Sequence, residues 1–274
     1  MTDRYAVIGN PISQSKSPLI HGHFAKATKQ DLEYGLIEGP LDGFADAVRA
    51  FQRSGGRGMN VTTPFKLQAF ALASQKSERA HEAGAANALK FEADGRILAE
   101  NFDGIGLARD IGENLGMPLA GRRVLVLGAG GATRGLLRPF LAHEPAELVI
   151  ANRDAAKATQ LAQAFAAHGP VRGCGYADIG PGRFDLVVNA TSASLRTELP
   201  PVSPEAFAIG GLAYELAYGK GLTPFLRLAQ SAGVKRLADG VGMLIEQAAE
   251  AFLWWRGVRP DTRALNEQMT VPLK

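Results

Sequence analysis

The sequence predicts an α/β protein that contains a doubly wound parallel sheet in its second half. Three observations lead to this fold class. Beyond residue 122, apolar stretches of strand length alternate with stretches of helical spacing, which is typical of parallel strands covered by helices on both faces. A glycine-rich turn, GAGGA at residues 128–132, follows the first of these strands. The length of 274 residues suits one large domain or two small ones, with enough sequence to bury a core.

The composition excludes several classes of protein. The chain is 46% hydrophobic and 21% charged, with a net charge of +3, as in ordinary globular proteins. Its basic residues are scattered, which argues against a nucleic-acid partner. The single Cys174 excludes an internal disulfide and a cysteine-built metal site. Since no apolar run or leader pattern points to a membrane, we expect a cytoplasmic protein with a small-molecule substrate and no metal.

In the first part of the chain, residues 4–9 and 58–62 have the composition of short strands that end in loops. Three helices are predicted to begin where a hydroxyl residue precedes proline, because the hydroxyl suits the N-cap and proline suits the first helical position. These dipeptides are Ser17-Pro18, Thr63-Pro64 and Thr223-Pro224.

The second part of the chain is more regular. Residues 136–141 and the stretch that follows residue 151 have helical spacing, and residues 243–255 predict a long amphipathic helix. The predicted parallel strands are residues 124–127, 147–151, 185–189 and 211–214.

The glycine-rich turn predicts a Rossmann-type dinucleotide site. It lies between a predicted strand and a predicted helix, where a tight turn lets helix N–H groups point at a pyrophosphate. The alternative is a tight strand-to-helix connection without a ligand. The residues of the turn are Gly128, Ala129, Gly130, Gly131 and Ala132.

The end of the next strand bears on the choice of cofactor. It reads Asn152-Arg153-Asp154, with Lys157 one turn later. Arg153 and Lys157 suit a 2′-phosphate, because a guanidinium can stack on adenine and pair with phosphate. Asp154 favours the 2′-hydroxyl of NAD instead. We predict NADP, with NAD as the less favoured alternative.

Polar residues in otherwise apolar surroundings mark the first part of the chain, although each alone could be a cap, a turn residue or a solvated side chain. They are Ser15, Ser17, Asn60, Thr62, Lys66, Asn87 and Asp103. Together with their neighbours they resemble the shikimate dehydrogenases. The resemblance runs from end to end, through GNPI with SKSP, NVTTPFK, GAANAL, NFDG, GAGGA, NR, NATS, KGLTPFL and DGVGML.

The resemblance implies a substrate domain over residues 1–103, completed by residues 239–274, and an NADP-binding Rossmann domain over residues 104–238, with a cleft between them. It implies that Ser15 and Ser17 bind the carboxylate of shikimate. The residues implied for the rest of the substrate site are Asn60, Thr62, Asn87, Tyr218 and Gln247. In addition to the glycine-rich turn, those implied for the cofactor are Asn152, Arg153, Lys157, Leu216 and Gly240.

The resemblance makes Lys66 and Asp103 the catalytic pair, and their chemistry agrees. Lys66 would be the third residue of the helix at Thr63-Pro64, where the helix dipole disfavours an ammonium and eases proton release. Asp103 would pair with the amine and orient it. The implied reaction is hydride transfer between the secondary alcohol of shikimate and the nicotinamide, by a monomer or a homodimer.

Five positions depart from the usual pattern of the family. Phe102 and Ala88 stand where threonines are usual, and Asp154 stands where a threonine helps to hold the 2′-phosphate; the other two are Ser194, near a usual glycine, and Glu215, at a usual aspartate. Phe102 either packs into the core or narrows the substrate site.

Two alternatives to shikimate dehydrogenation follow from these departures. One is a divergent enzyme with weak shikimate activity and another cyclic hydroxy acid, such as a quinate-like acid, as its substrate. The other is a non-catalytic NADPH sensor, which is less favoured because binding alone does not need Lys66 and Asp103.

Overall fold

The structure is a computed structural model that describes residues 2–273, and its contacts divide the chain into two compact units. The first unit contains the residues up to Gly106 together with Ile245–Glu267, and the second contains Leu107–Leu244 together with the residues from Gln268 on. The boundaries expected from the sequence were 103/104 and 238/239. The structure instead places residues 104–106 in the first unit, and it places residues 239–244 and those from Gln268 on in the second.

The first unit has a six-stranded mixed sheet in the order β2-β1-β3-β5-β6-β4. Strand β1 pairs in parallel with β2 and β3, whereas β5 is antiparallel to β3 and β6. The strands are β1 (Asp3–Gly9), β2 (Leu32–Glu38), β3 (Gly56–Val61), β4 (Gln75–Lys76), β5 (Ala88–Phe91) and β6 (Ile97–Glu100). The helices before residue 107 are α1 (Ser17–Thr28), α2 (Phe44–Arg53), α3 (Lys66–Leu72), α4 (Glu78–Ala83) and the beginning of α5 (Asp103–Arg109).

Two of the three helix starts expected from hydroxyl–proline pairs differ in detail. Ser17 is the first residue of α1, so the N-cap position falls on Lys16, whose side chain makes no capping hydrogen bond; the hydroxyl of Ser17 accepts from that of Ser15. Helix α3 begins at Lys66 rather than at Thr63-Pro64, since residues 62–65 form a turn in which the N–H of Phe65 donates to the carbonyl of Thr62 at 2.9 Å. The prediction that Lys66 is the third helical residue was wrong.

The second unit has six strands, all parallel, in the order β12-β11-β10-β7-β8-β9. The strands are β7 (Arg123–Leu127), β8 (Glu147–Asn152), β9 (Val171–Gly175), β10 (Phe184–Asn189), β11 (Phe207–Glu215) and β12 (Arg236–Asp239). The helices of this unit, beside the end of α5, are α6 (Gly131–Leu141), α7 (Ala155–Phe165) and α8 (Pro224–Ser231). Thr223 caps α8 by accepting a hydrogen bond from the N–H of Leu226, as expected.

Both faces of this parallel sheet are covered. Val124 and Val126 of β7 belong to one buried apolar cluster, and Leu125 and Leu127 belong to another on the opposite face. Strand residues point alternately to the two faces, so a strand that is apolar throughout requires helices on both sides. The doubly wound fold class predicted from the sequence is confirmed.

The sequence did not predict β9, whose residues VRGCG show little apolar pattern. Its Gly173 permits α7 to approach closely, because a Cβ there would lie 2.1 Å from the carbonyl oxygen of Ala158. After β12 come the long helix α9 (Val241–Arg256), close to the predicted residues 243–255, and α10 (Arg263–Met269).

The described residues contain neither a membrane-spanning helix nor a cluster of metal ligands. Between residues 2 and 273, no helix combines the length and the apolar character needed to cross a membrane. Within the same residues, no three His, Cys, Asp or Glu side chains are grouped so that they could hold a metal ion.

Candidate active site

An ion pair between Lys66 and Asp103 lies at the centre of the polar site of the first unit. Lys66 Nζ donates to Asp103 Oδ2 at 2.6 Å. The side chains are 34% and 16% exposed, so the pair is sheltered but open to a small molecule. Each residue is the first of its helix, α3 for Lys66 and α5 for Asp103.

The carboxylate of Asp103 is held from several sides. Asn87 Nδ2 donates to Asp103 Oδ1 at 2.8 Å and to Gln247 Oε1 at 3.2 Å. Asn87 Oδ1 accepts from the N–H of Phe102 at 2.9 Å, and Asn101 Oδ1 accepts from the N–H of Asp103 at 3.1 Å. With partners on both oxygens, the carboxylate has a fixed orientation toward Lys66.

Close packing of α5 against α9 brings Gln247 to this cluster. At Gly106, an added Cβ would lie 2.6 Å from the backbone nitrogen of Gln247. Since a Cβ essentially never comes that close to another atom, only glycine permits this approach at position 106. Gln247 is 8% exposed, and its place beside Asn87 follows from this packing.

Ser15 and Ser17 lie together at the beginning of α1. Their hydroxyl oxygens are 3.2 Å apart, and the N–H of Ser17 donates to Ser15 Oγ at 3.3 Å. Ser17 is buried, whereas Ser15 is half-buried. Two hydroxyls beside the N-terminal end of a twelve-residue helix are suited to bind a carboxylate.

Asn60, from β3, connects three parts of the first unit. It is 5% exposed, and its Oδ1 accepts from the hydroxyl of Tyr34 at 2.6 Å and lies 3.0 Å from His21 Nε2. Its Nδ2 donates to the carbonyl of Asn87 at 3.3 Å. Asn60 therefore ties α1 and β2 to the segment that holds Asp103.

His21 and Tyr34 were not predicted as site residues. Their rings stack with centroids 4.1 Å apart and planes 4° apart. Burial lowers the pKa of His21 to about 3, although the hydrogen bond to Asn60 acts in the opposite direction, so the imidazole is neutral and donates through Nε2. Neither residue carried a sequence signal, because α1 and β2 meet at Asn60 only through the tertiary fold.

Thr62 follows β3 and is half-buried. Its N–H donates to the carbonyl of Ile8 at 3.0 Å, which fixes its backbone next to the end of β1. A Cβ on Gly9 would lie 2.5 Å from Thr62 Cγ2. The glycine that ends β1 therefore makes room for Thr62.

Phe102 packs inside the first unit. Its side chain is 3% exposed and belongs to a small apolar cluster with Ala88 and Ala251. The ring of Trp254 meets it edge-on with centroids 5.8 Å apart, and the guanidinium of Arg79 lies 5.7 Å from its centroid on the ring face. The structure thus supports the packing interpretation, and the two departures from the family at positions 88 and 102 belong to the same apolar cluster.

The glycine-rich turn of the second unit lines a cavity of about 390 Å³, a size that suits part of a nucleotide. Gly128 has a φ of +103°, and a Cβ on it would lie 3.0 Å from Thr191 Cγ2. At Gly130 and Gly131 a Cβ would meet no atom within 4 Å, so the backbone there faces open space. This is the room that a pyrophosphate needs beside the beginning of α6.

Eight of the ten cofactor residues expected from the resemblance line this cavity, namely Gly128, Ala129, Gly130, Gly131, Ala132, Asn152, Arg153 and Lys157. Arg153 and Lys157 are exposed cations and can therefore reach a phosphate. Asp154 caps α7, since its Oδ1 accepts from the N–H of Lys157 at 3.2 Å. The donor set fits a dinucleotide with a 2′-phosphate.

The remaining expected residues of the second unit lie outside the lining of that cavity. Leu216 and Gly240 contact each other, and a Cβ on Gly240 would lie 2.2 Å from the carbonyl oxygen of Leu216. Tyr218, expected at the substrate, follows β11 in the second unit and is 41% exposed.

Five polar or aromatic residues of the cavity were not predicted. They are Tyr176, Thr191, Ser192, Arg196 and Glu198. Thr191 and Ser192 lie within NATS, a string that was part of the resemblance, so a signal existed for them. Nothing in the sequence pointed to Tyr176, Arg196 or Glu198.

A buried polar network supports the segment that follows β10. Glu215 is fully buried, and burial raises the pKa of its carboxyl. It accepts hydrogen bonds from the hydroxyl of Ser194, from Asn189 Nδ2 at 2.9 Å and from Thr223 Oγ1 at 3.1 Å. Ser194 and Glu215, two departures from the usual family pattern, are thus direct partners.

These features define a class of protein. A doubly wound parallel sheet with a glycine-rich turn, together with an α/β unit that carries a Lys–Asp pair, is typical of an oxidoreductase that uses a nicotinamide dinucleotide. Comparison with known proteins gives the particular family.

Three family models match the chain. They describe a shikimate dehydrogenase substrate-binding domain over residues 7–89, a shikimate/quinate 5-dehydrogenase over residues 107–197 and a shikimate 5′-dehydrogenase C-terminal domain over residues 240–270. The chain belongs to the shikimate dehydrogenase family.

Individual relatives agree with this. The NADP(+) shikimate dehydrogenase of Nitrosospira multiformis is 57% identical over 262 residues, which covers 96% of this chain and 95% of that protein. The crystal structure of an Ael1 enzyme from Pseudomonas putida is 64% identical, with a TM-score of 0.94 over 100% of both chains. A Thermus thermophilus shikimate 5-dehydrogenase, solved with NADP(H) and shikimate, is 31% identical, with a TM-score of 0.81 over 97% of this chain and 98% of that one.

Proposed function

We propose that the chain interconverts shikimate and 3-dehydroshikimate with NADP as the cofactor. The observation that carries this proposal is the Lys66–Asp103 pair, with 2.6 Å between Lys66 Nζ and Asp103 Oδ2. The names of its relatives, NADP(+) shikimate dehydrogenases at 57% and 56% identity, give further support.

The substrate would be held by the polar residues of the first unit. The hydroxyls of Ser15 and Ser17 bind its carboxylate, and Thr62, Asn87 and Gln247 bind its ring hydroxyls. Asn60 holds these residues in place through its hydrogen bonds to Tyr34 and to the carbonyl of Asn87. Tyr218, which the resemblance also implies for the substrate, belongs to the second unit.

Lys66 and Asp103 carry the proton chemistry. In the oxidation direction, the neutral amine form of Lys66 takes the proton of the hydroxyl as the alcohol carbon loses its hydride, and Lys66 becomes an ammonium. Asp103, fixed by Asn87, holds the amine and the hydroxyl in line. In the reverse direction Lys66 returns the proton to the oxygen of the ketone. When bound, the nicotinamide of NADP accepts or donates the hydride.

The second unit would hold the dinucleotide. The backbone of residues 128–132 receives the pyrophosphate, and Arg153 and Lys157 receive the 2′-phosphate, with Asn152, Leu216 and Gly240 completing the site. Arg153 decides between the cofactors, because only NADP carries the phosphate with which its guanidinium pairs.

The test is a steady-state screen of the purified protein that follows reduced nicotinamide by absorbance. Shikimate and quinate are each offered with NADP and with NAD. We expect the highest kcat/KM with shikimate and NADP. A higher kcat/KM with quinate, or with NAD, would overturn the proposed substrate or cofactor, respectively.

The same screen separates an enzyme from an NADPH sensor. A sensor would bind NADPH but turn over none of these substrates. The Lys66–Asp103 pair would then have no catalytic role. Cytoplasmic location and a monomeric or homodimeric state remain part of the proposal. Light scattering during size-exclusion chromatography measures that state.

A further inference from the structure

The cavity beside the glycine-rich turn contains a third cation besides Arg153 and Lys157. Arg196 ends the short 3₁₀ turn Ala193–Arg196 that follows β10, and it lines the same cavity. The roles described above leave this side chain without a function. Its position on the cavity wall makes it available to a bound nucleotide.

Arg196 is paired with Glu198 at the surface. Arg196 Nε lies 3.0 Å from Glu198 Oε1, and Nη2 lies 3.1 Å from Oε2. Both side chains are 54% exposed. An exposed pair of this kind contributes little to stability, so the guanidinium can exchange its carboxylate partner for a phosphate, which offers more charge and three acceptor oxygens.

The balance of charges around the cavity also favours a third cation in phosphate binding. Asp154 faces the N–H of Lys157 as the cap of α7, and Glu198 lies close enough to Arg153 for the two charges to interact. Without Arg196, the charges of the two cations are cancelled by those of the two carboxylates, and no net positive charge is left for a dianionic phosphate. With Arg196, three cations face two carboxylates, and the net positive charge attracts the phosphate.

The segment that carries Arg196 is anchored. Ser194 donates its hydroxyl to the buried carboxyl of Glu215, and the amide of Asn189 donates to Ser194 Oγ at 3.1 Å. The side chain of Arg196 can move, whereas its backbone is held near the cavity. This arrangement lowers the entropic cost of forming a phosphate contact.

We propose that Arg196 releases Glu198 and binds the 2′-phosphate of NADP, and that Glu198 competes with this phosphate for the guanidinium. The proposal rests on the proposed use of NADP. It assigns a specificity role to two residues of this chain in addition to Arg153 and Lys157.

Binding titrations test the proposal without turnover. NADPH and NADH are titrated by calorimetry into the natural protein and into Arg196→Ala, Arg196→Lys and Glu198→Gln. Arg196→Ala should weaken NADPH about 5- to 20-fold and NADH less than about twofold, the range for an exposed charge-assisted hydrogen bond. Arg196→Lys should recover part of the loss, and Glu198→Gln should tighten NADPH about two- to fivefold.

Arg263→Ala is the matched control. Arg263 pairs with Asp261 at the same two-residue spacing, with Nη2 2.6 Å from Oδ2, but on the first unit. The Arg263→Ala variant should bind NADPH and NADH with the same affinities as the natural protein. The thermal midpoint of each variant confirms that it is folded.

The outcomes separate this inference from the proposed function. If the natural protein prefers NADPH but Arg196→Ala leaves that preference intact, or weakens both cofactors equally, the role of Arg196 is overturned and NADP use stands. If the natural protein binds NADPH and NADH equally and Arg153→Ala changes neither, the NADP proposal and the role of Arg196 both fail.

Discussion

The two polar sites of the molecule are built in different ways. In the first unit, side chains hold one another: Asn87 is 2% exposed and bonds to Asp103 and to Gln247. In the second unit, glycine backbone forms the cradle, and exposed cations such as Arg153 surround it. The first construction holds side chains at fixed angles, as the proposed proton transfer requires, whereas the second attracts charge and tolerates rearrangement.

Departures from the family pattern follow the same division. In the first unit, Ala88 and Phe102, which both differ from the residues expected from the resemblance, belong to one buried apolar cluster, where a change in the volume of one residue affects the packing of the others. At the exposed nucleotide cavity, Asp154 takes the place of a threonine and simply caps α7.

Removal of the central amine should have the largest effect. Lys66→Ala is expected to lower kcat about 10²- to 10⁴-fold, the range for a positioned acid–base group. The Kd for NADPH should change much less, because the amine belongs to the first unit. Steady-state kinetics and a calorimetric titration measure the two quantities. Near-normal turnover would remove Lys66 from the mechanism and would show that the buried network is not the catalytic site.

The second prediction concerns the stability of the buried network in acid. The pKa of His21 is about 3 in the folded protein, against an ordinary value of 6.5 for a histidine, so the unfolded chain binds the extra proton between these values. Stability from the neutral imidazole is therefore complete above pH ~6.5 and is lost as the pH falls toward ~3. From about pH 7 to about pH 4.5 the loss should be about 2–3 kcal/mol.

Urea unfolding at both pH values measures this loss, with His21→Gln as the test and His23→Gln as the control on the same helix. The difference in unfolding free energy between the two pH values should shrink in His21→Gln and persist in His23→Gln. An unchanged acid dependence in His21→Gln would show that the buried histidine does not govern it.

Phe102→Thr tests whether the departures in the first unit are paired. Loss of the ring from the cluster with Ala88 and Ala251 should lower the free energy of unfolding by about 2–4 kcal/mol. Addition of Ala88→Thr should restore part of it, because the new methyl group and hydroxyl refill some of the space. An unchanged denaturation midpoint in Phe102→Thr would contradict the packing interpretation. A tenfold rise in kcat/KM for shikimate would instead favour a substrate contact for the hydroxyl.

The smallest effect is expected at the nucleotide cavity. Arg153→Ala should weaken NADP about 10- to 100-fold, with little change for NAD, since it removes an ion pair with the 2′-phosphate only. Fluorescence titration with NADPH and NADH provides the two dissociation constants. Equal losses of affinity for NADPH and NADH would show that Arg153 does not contact the 2′ position. The exposed cations of the cavity would then not discriminate between the two cofactors.

The sequence by itself determined the features that depend on neighbours in the chain. The glycine-rich turn, the apolar strands of the parallel sheet and the cap at Thr223 are set by residues a few positions apart, and their patterns could be read directly. The motif strings also selected Lys66 and Asp103 as the candidate catalytic pair, and the two side chains are in contact. The start of α3 could not be placed to the residue, because the turn over residues 62–65 competes with the helix.

Only the tertiary structure decided which distant residues meet. Asn87 and Gln247 are 160 positions apart, and His21 and Asn60 are 39 apart; sheet order and the close approach at Gly106 bring each pair together. The shared cluster of Ala88 and Phe102, the hydrogen bond between Ser194 and Glu215, and the position of Arg196 at the nucleotide cavity have the same origin. No periodicity records such contacts, because they depend on how elements pack and not on the spacing within any one of them.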